Sequence, residues 1–247
     1  MAGEEEEPRV TLYTAGTPNG WKAAVLLEEL GLPYKVRPIS ISKGEQKEDW
    51  YLKINPNGRI PAIVDHGNGD YAVFESGALM MYLCDHYGDG SLFPKVEDDK
   101  ARYEVIAWLM FQMSGLGPMQ GQANHFVRYA PVQIEYGKER YVNETKRLYS
   151  VLDKQLEGKE WIAAGRYTIA DIACFTWVFI HFWSDVDIEE FPNLKAWKER
   201  IEKRPAVLRG LDVPEPTKFK EAITDKAVRE QMINEIRAII TPTSAPK

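Results

Sequence analysis

Residues 55–77 read N-P-N-G-R-I-P-A-I-V-D-H-G-N-G-D-Y-A-V-F-E-S-G, and this stretch decides the fold of the first half of the chain. A Pro/Asn/Gly turn from Asn55 to Pro61 leads into an apolar strand, Ala62 to Asp65; His66 to Asp70 is a hairpin loop, and a brief strand runs on to Phe74. Pro61 has no N–H to give a ladder, so it belongs at the start of its strand. The Ile60–Pro61 bond has two readings: an ordinary turn, or a cis bond that turns the backbone of Ile60 outward and leaves its N–H and C=O open to a peptide ligand. Glu75 to Tyr87 then reads as a helix, with Leu79, Leu83 and Tyr87 on one stripe.

Towards the N-terminus, Val10 to Tyr13 (V-T-L-Y) is a strand, and Gly16, Pro18 and Gly20 punctuate a turn over Thr14 to Gly20. Helical spacing runs from Lys22 to Leu30 and stops at Gly31. Tyr34 to Ile41 is strand-like and Gln46 to Lys53 a short helix. The order β-α-β-α-β-β-α over residues 10–90 predicts an α/β domain, a small mixed sheet covered by helices, behind an acidic tail of residues 1–9. Towards the C-terminus, residues 91–99 form a Pro-bearing, charged linker, after which strand signals vanish. Lys100 to Met113, Pro131 to Leu156, Thr168 to Trp183 and Pro192 to Lys203 carry apolar residues at helical intervals, which predicts an all-α domain over 100–211. In the extension 212–247, Val213 to Pro216 breaks the pattern. A last amphipathic stretch then sets Val228, Met232, Ile236 and Ile240 on one face.

Composition narrows the function. The chain has 247 residues, 44% apolar, with a net charge of −6. Scattered lysines on an acidic chain are not the concentrated basic face that a phosphate backbone or anionic lipid requires, which argues against nucleic acid and membrane. Cys84 and Cys174 are far apart, without a partner at redox or metal spacing, so neither a CxxC centre nor a metal site is expected. Both read as core residues. The glutamate-rich start is the reverse of a signal peptide, which makes the cytoplasm the expected compartment.

Two further segments bear on chemistry. Ser76 stands in the first turn of a helix, where N–H groups and the positive dipole end attract a carboxylate, and Glu75 beside it can accept from an ammonium. The alternative is a routine cap. In Thr17-Pro18-Asn19-Gly20 an amide side chain at a helix start can donate to a thiolate; the alternative is capping by Asn19.

Taken together, N-P-N-G-R-I-P-A-I and F-E-S-G-A-L resemble the glutathione-binding segments of the glutathione transferase superfamily. Y-T-I-A-D-I-A (Tyr167 to Ala173) resembles its helical-domain capping box, with Thr168 capping and Asp171 reaching back, both structural. T-P-N-G-W-K, L-L-E-E-L-G-L-P-Y, G-L-G-P-M-Q-G-Q and E-R-Y-V-N-E-T-K-R-L-Y resemble the bacterial nu-class enzymes and the fungal nitrogen-regulator-like branch, over Val10 to Leu211. The resemblance implies a thioredoxin-like first domain, a homodimer, and glutathione as cosubstrate without a metal.

Carried over by position, the resemblance implies that Asn19 holds the thiolate with Thr17 nearby, and that Ile60, before Pro61, pairs main chain to main chain with the cysteinyl unit. Glu75 and Ser76 bind the γ-glutamyl end, Gln46 and Arg140 meet the glycine carboxylate or a second glutathione, and Asn57 and Arg59 support the loop. Tyr13 is the rival thiol activator and reads better as a packing residue. Trp21, Met113, Gln122, Asn124, His125, Phe126 and Trp183 are expected around the second substrate, with disulfide exchange the expected reaction. The alternative function is a non-catalytic, transferase-like scaffold.

Overall fold

The computed structural model describes residues 8–240, with the side chain of Ile240 excepted. The acidic tail therefore lies outside the described residues save for Pro8 and Arg9, as does the part of the C-terminal extension beyond 240. The chain divides into two compact units: one ends at Arg102 and takes back Glu202–Pro216; the other comprises Tyr103–Ile201 and the segment from Thr217 onward.

In the first unit four strands, β1 (Val10–Thr14), β2 (Tyr34–Pro38), β3 (Ala62–Asp65) and β4 (Tyr71–Phe74), form a sheet in the order β2-β1-β3-β4. β1 and β2 are parallel, Val10 facing Tyr34, and are joined by helix α1 (Pro18–Leu30) as a crossover. β3 runs antiparallel to both β1 and β4, Leu12 facing Ile63 and Ile63 facing Val73. This is the thioredoxin-like arrangement. The central strands β1 and β3 supply the fully buried Val10, Leu12 and Ile63, while β2 at the edge is largely exposed.

A short helix α2 (Asp49–Leu52) precedes the 55–61 turn, and α3 (Ser76–Tyr87) follows β4. α1 begins at Pro18, four residues before the expected start. Proline is preorganised for a first helical position, so the Pro/Gly punctuation marks a helix entry rather than a turn. The expected linker is also anchored: Arg102 grips the Asp85 carboxylate through two hydrogen bonds of 3.0 and 2.9 Å, donates to the Pro94 carbonyl and lies over the Phe93 ring.

The second unit is helical. α4 (Asp99–Phe111), whose first turn belongs to the first unit, a π-helical turn Gln112–Leu116, α5 (Gly117–Asn124) and a second π turn His125–Tyr129 make one uninterrupted helical run. Its middle was not visible in the sequence, because Pro118 and three glycines mask it; the widened turn before Pro118 lets the helix continue past a residue that cannot donate. Then come α6 (Glu135–Gln155), α7 (Ile169–Val178) and α8 (Pro192–Ile201). α9 (Pro205–Leu211), expected in the helical domain, belongs instead to the first unit, where it packs on α1. α10 (Phe219–Ala222) and α11 (Lys226–Ile240) complete the second unit. In α11 Met232 is buried and Val228 and Ile236 half-buried, the face expected from their spacing, and Ile233 joins them.

Thr168 and Asp171 form the expected capping box at α7. Asp171, fully buried, accepts from the N–H groups of Ile162 and Thr168, the Thr168 hydroxyl and the Trp197 indole at 2.9–3.1 Å. Burial nevertheless pushes its carboxyl up to about 6, against the pull of those donors. No helix among the described residues is long and apolar enough to cross a membrane.

Candidate active site

The loop at 55–61 is built from its own side chains. Asn55, 2% exposed, accepts from the Asn57 N–H (2.9 Å) through its side-chain oxygen and donates through Nδ2 to the Arg59 carbonyl (2.7 Å). The Tyr51 hydroxyl donates to the same carbonyl at 2.7 Å, and Lys47 donates to the Asn57 carbonyl at 3.2 Å. Gly58 sits at φ +58°, where a Cβ would lie 2.8 Å from the Gln46 carbonyl oxygen, so no larger residue fits. The Asn57 and Arg59 side chains are exposed, and these residues contribute to the loop through their main chains. The Ile60–Pro61 bond is cis, the second of the two readings. Neither the N–H nor the C=O of Ile60 takes a hydrogen-bond partner among the described residues.

At the opening of α1, Thr17 is the N-cap, its hydroxyl oxygen accepting from the Gly20 N–H at 3.2 Å. Asn19 is the second helical residue, half-buried, so the capping alternative for it does not hold. Tyr13, at the end of β1, packs against Trp50 and Tyr51 with ring centroids 6.2 and 6.1 Å away, and burial raises its phenol. It is a packing tyrosine.

At the opening of α3, Glu75 occupies the N-cap at φ +68°, a conformation that costs a non-glycine residue about 1–3 kcal/mol. It makes no side-chain cap, and its exposed carboxylate has no partner among the described residues. Ser76 follows at the first helical position and accepts from Lys22 Nζ at 3.3 Å. Lys22 is 1% exposed and links α1 to α3. Sequence reading missed it, because a lysine in a helix ordinarily reads as solvated. Asn55 was also missed, although Asn before Pro-Asn-Gly is a side-chain turn signal. Gln46 lies on a 3-10 turn (Glu45–Lys47), and its buried Oε1 has no hydrogen-bond partner among the described residues. That turn is fixed by Glu45, which accepts from the Ser40 N–H at 2.8 Å and pairs with Arg37. Those contacts, with the Ser40 N–H first, hold its carboxyl below the usual range.

Thr17, Asn19, Gln46, Asn57, Arg59, Ile60, Pro61, Glu75 and Ser76 all belong to the first unit; Arg140, exposed on α6, belongs to the second. So do Met113, Gln122, Asn124, His125 and Phe126. Asn124 is buried, its Oδ1 without a partner among the described residues, and Gln122 is exposed. His125 and Phe126 are half-buried on the second π turn. Phe126 is stacked on Tyr141 (5.5 Å, 11°), over Gly137, where a Cβ would come within 2.7 Å of its ring. Two expected lining residues are corrected. Trp21 is fully buried and Trp183 is 1% exposed, its indole donating to the Tyr129 hydroxyl, so both are core. Cys84 and Cys174 are buried, and burial pushes the Cys84 thiol up to about 12, which leaves it protonated and unreactive.

A cis-proline loop beside two helix openings, followed by a helical unit, defines a class. The chain matches the N-terminal domain of glutathione S-transferases over residues 8–85 and their C-terminal domain over 91–205, and it belongs to that family. Among its relatives is the disulfide-bond oxidoreductase YfcG of Escherichia coli, 44% identical over 82% of this chain and 94% of that protein. A glutathione transferase family member from Pseudomonas fluorescens, solved with two glutathione bound, superposes with a TM-score of 0.79 at 45% identity, covering 86% of this chain and 96% of that one. The transferase URE2P6 of Phanerochaete chrysosporium, solved with oxidized glutathione, gives 0.79 at 40% identity, covering 83% and 95%.

Proposed function

We propose that the chain is a glutathione-dependent disulfide reductase of the nu-class and fungal nitrogen-regulator-like branch. The observation that carries this reading is the unpartnered main chain of Ile60 at a cis proline, in the same unit as Asn19 at the start of α1 and with no exposed cysteine among the described residues. The reactive sulfur is then that of a bound tripeptide. Ile60 pairs with its cysteinyl unit, and the Glu75 carboxylate and Ser76 take its ammonium and carboxylate. Gln46 donates an amide N–H to the glycine carboxylate. Asn19 donates to the sulfur, assisted by the hydroxyl of Thr17 and the helix dipole. Lowering a thiol pKa by about 2 units requires roughly 2.7 kcal/mol. One hydrogen bond to a charged group is worth about 1.5–3 kcal/mol and a helix N-terminus about 0.3–1, so no ionisable base is required.

The thiolate attacks one sulfur of a disulfide R–S–S–R′, forming G–S–S–R and releasing R′S⁻, which takes up the proton lost by glutathione. A second glutathione attacks the glutathionyl sulfur, giving G–S–S–G and RSH. Gln122, Asn124, His125 and Phe126 line the second-substrate side. The proposed unit is a homodimer: on α4 the large apolar Tyr103 and Met110 are 62% and 41% exposed. Two buried cysteines that form no disulfide with each other suit a reducing, cytoplasmic setting. Purified protein supplied with glutathione and, separately, a small disulfide, an organic hydroperoxide and an aryl halide should turn over the disulfide fastest. Activity on the aryl halide alone would refute the reading.

A further inference from the structure

The second π turn ends at Tyr129, and a helix end leaves carbonyls without intrahelical donors. One of them, that of Arg128, accepts two hydrogen bonds from Arg237 of α11, from Nη2 at 2.6 Å and Nε at 3.3 Å. Arg128 in turn sends its guanidinium to the carbonyls of Trp183 (3.1 Å) and Phe182 (3.0 Å) and pairs with Asp185, capping the next turn, His181–Ser184. The C-terminal segment closes on that turn from its other end: the Phe219 ring lies 5.0 Å from Trp183, and the Arg229 guanidinium sits 5.2 Å over Phe182 while holding the Ala222 and Ile223 carbonyls. Two arginines from different helices thus each close the C-terminal end of a neighbouring turn, and a cation is favoured there by the helix dipole as well as by the bonds. Residues 217–240 lie beyond the spans that match the transferase family domains.

We propose that the segment 217–240 is a clamp that fixes the His125–Tyr129 turn, with Arg237 as its positioning residue, and so sets His125 and Phe126 for the second substrate. The part concerning substrate rests on the reading given above. Arg237 is exposed and meets the turn at its backbone, so its loss need not unfold the unit.

The test uses the full chain with Arg237→Ala and Arg237→Lys. Amide exchange of residues 125–130, read by mass spectrometry, should quicken by roughly two- to ten-fold in Arg237→Ala, the range expected for losing a charged helix-end cap. KM for the disulfide should rise by a similar factor, KM for glutathione should stay unchanged, and Arg237→Lys should restore most of both effects. Unchanged exchange would overturn the clamp, whatever the activity does. Quickened exchange with an unchanged disulfide KM would overturn its role in placing the second substrate. An unaltered chain that reduces no disulfide defeats the functional reading instead, and the exchange experiment still decides the clamp by itself.

Discussion

Asp171 shows how much one side chain carries without touching chemistry. Its two oxygens serve four donors in a fully buried setting, and the shift of its carboxyl to about 6 has a definite sign. A carboxyl raised above its unfolded value of 3.8 binds more protons folded than unfolded between those pH values. Its contribution is therefore largest below pH 3.8 and falls as pH rises towards 6. In Asp171→Asn an NH2 group replaces one acceptor, facing donors that need one. Urea unfolding should show a loss of about 2–4 kcal/mol at neutral pH and a flatter stability profile between pH 4 and 6 than the parent. The sequence disclosed this residue through the resemblance of Tyr167 to Ala173 to the family's capping box. Nothing in a sequence discloses Lys22, whose importance comes from burial against Ser76, or the burial of Trp21.

Among elements, the 55–61 loop was the most readable, since proline, glycine and asparagine each have narrow backbone roles. The sequence left its cis bond as one of two readings; only the assembled contacts of Asn55 and Tyr51 with the Arg59 carbonyl display how the loop is held. Asn55→Ala removes both side-chain bonds from a buried position. It should lower stability by about 2–4 kcal/mol and raise KM for glutathione more than it lowers kcat, because Ile60 then loses its fixed presentation. Equal falls in kcat and kcat/KM would instead place the loop in the chemical step. Within the helical run 99–129 the stretch beyond Met113 was the least readable: the first π turn precedes Pro118 amid three glycines, and apolar periodicity drifts across each widened turn.

At the level of the whole molecule, alternation of strands and helices followed by helices alone predicted both units, but not their membership. α9 returns to the first unit because its apolar positions fit α1, a long-range choice that local pattern does not encode. On the proposed reading the thiol chemistry runs without a reactive cysteine of the chain's own among the described residues. The most direct test is the pH dependence of disulfide reduction at saturating glutathione, in the parent and in Asn19→Ala. The parent rate should titrate about 2 units below a free thiol near 8.5, and the variant should titrate at least about 1 unit higher with a slower rate at neutral pH. Coincident profiles in the two proteins would contradict the account.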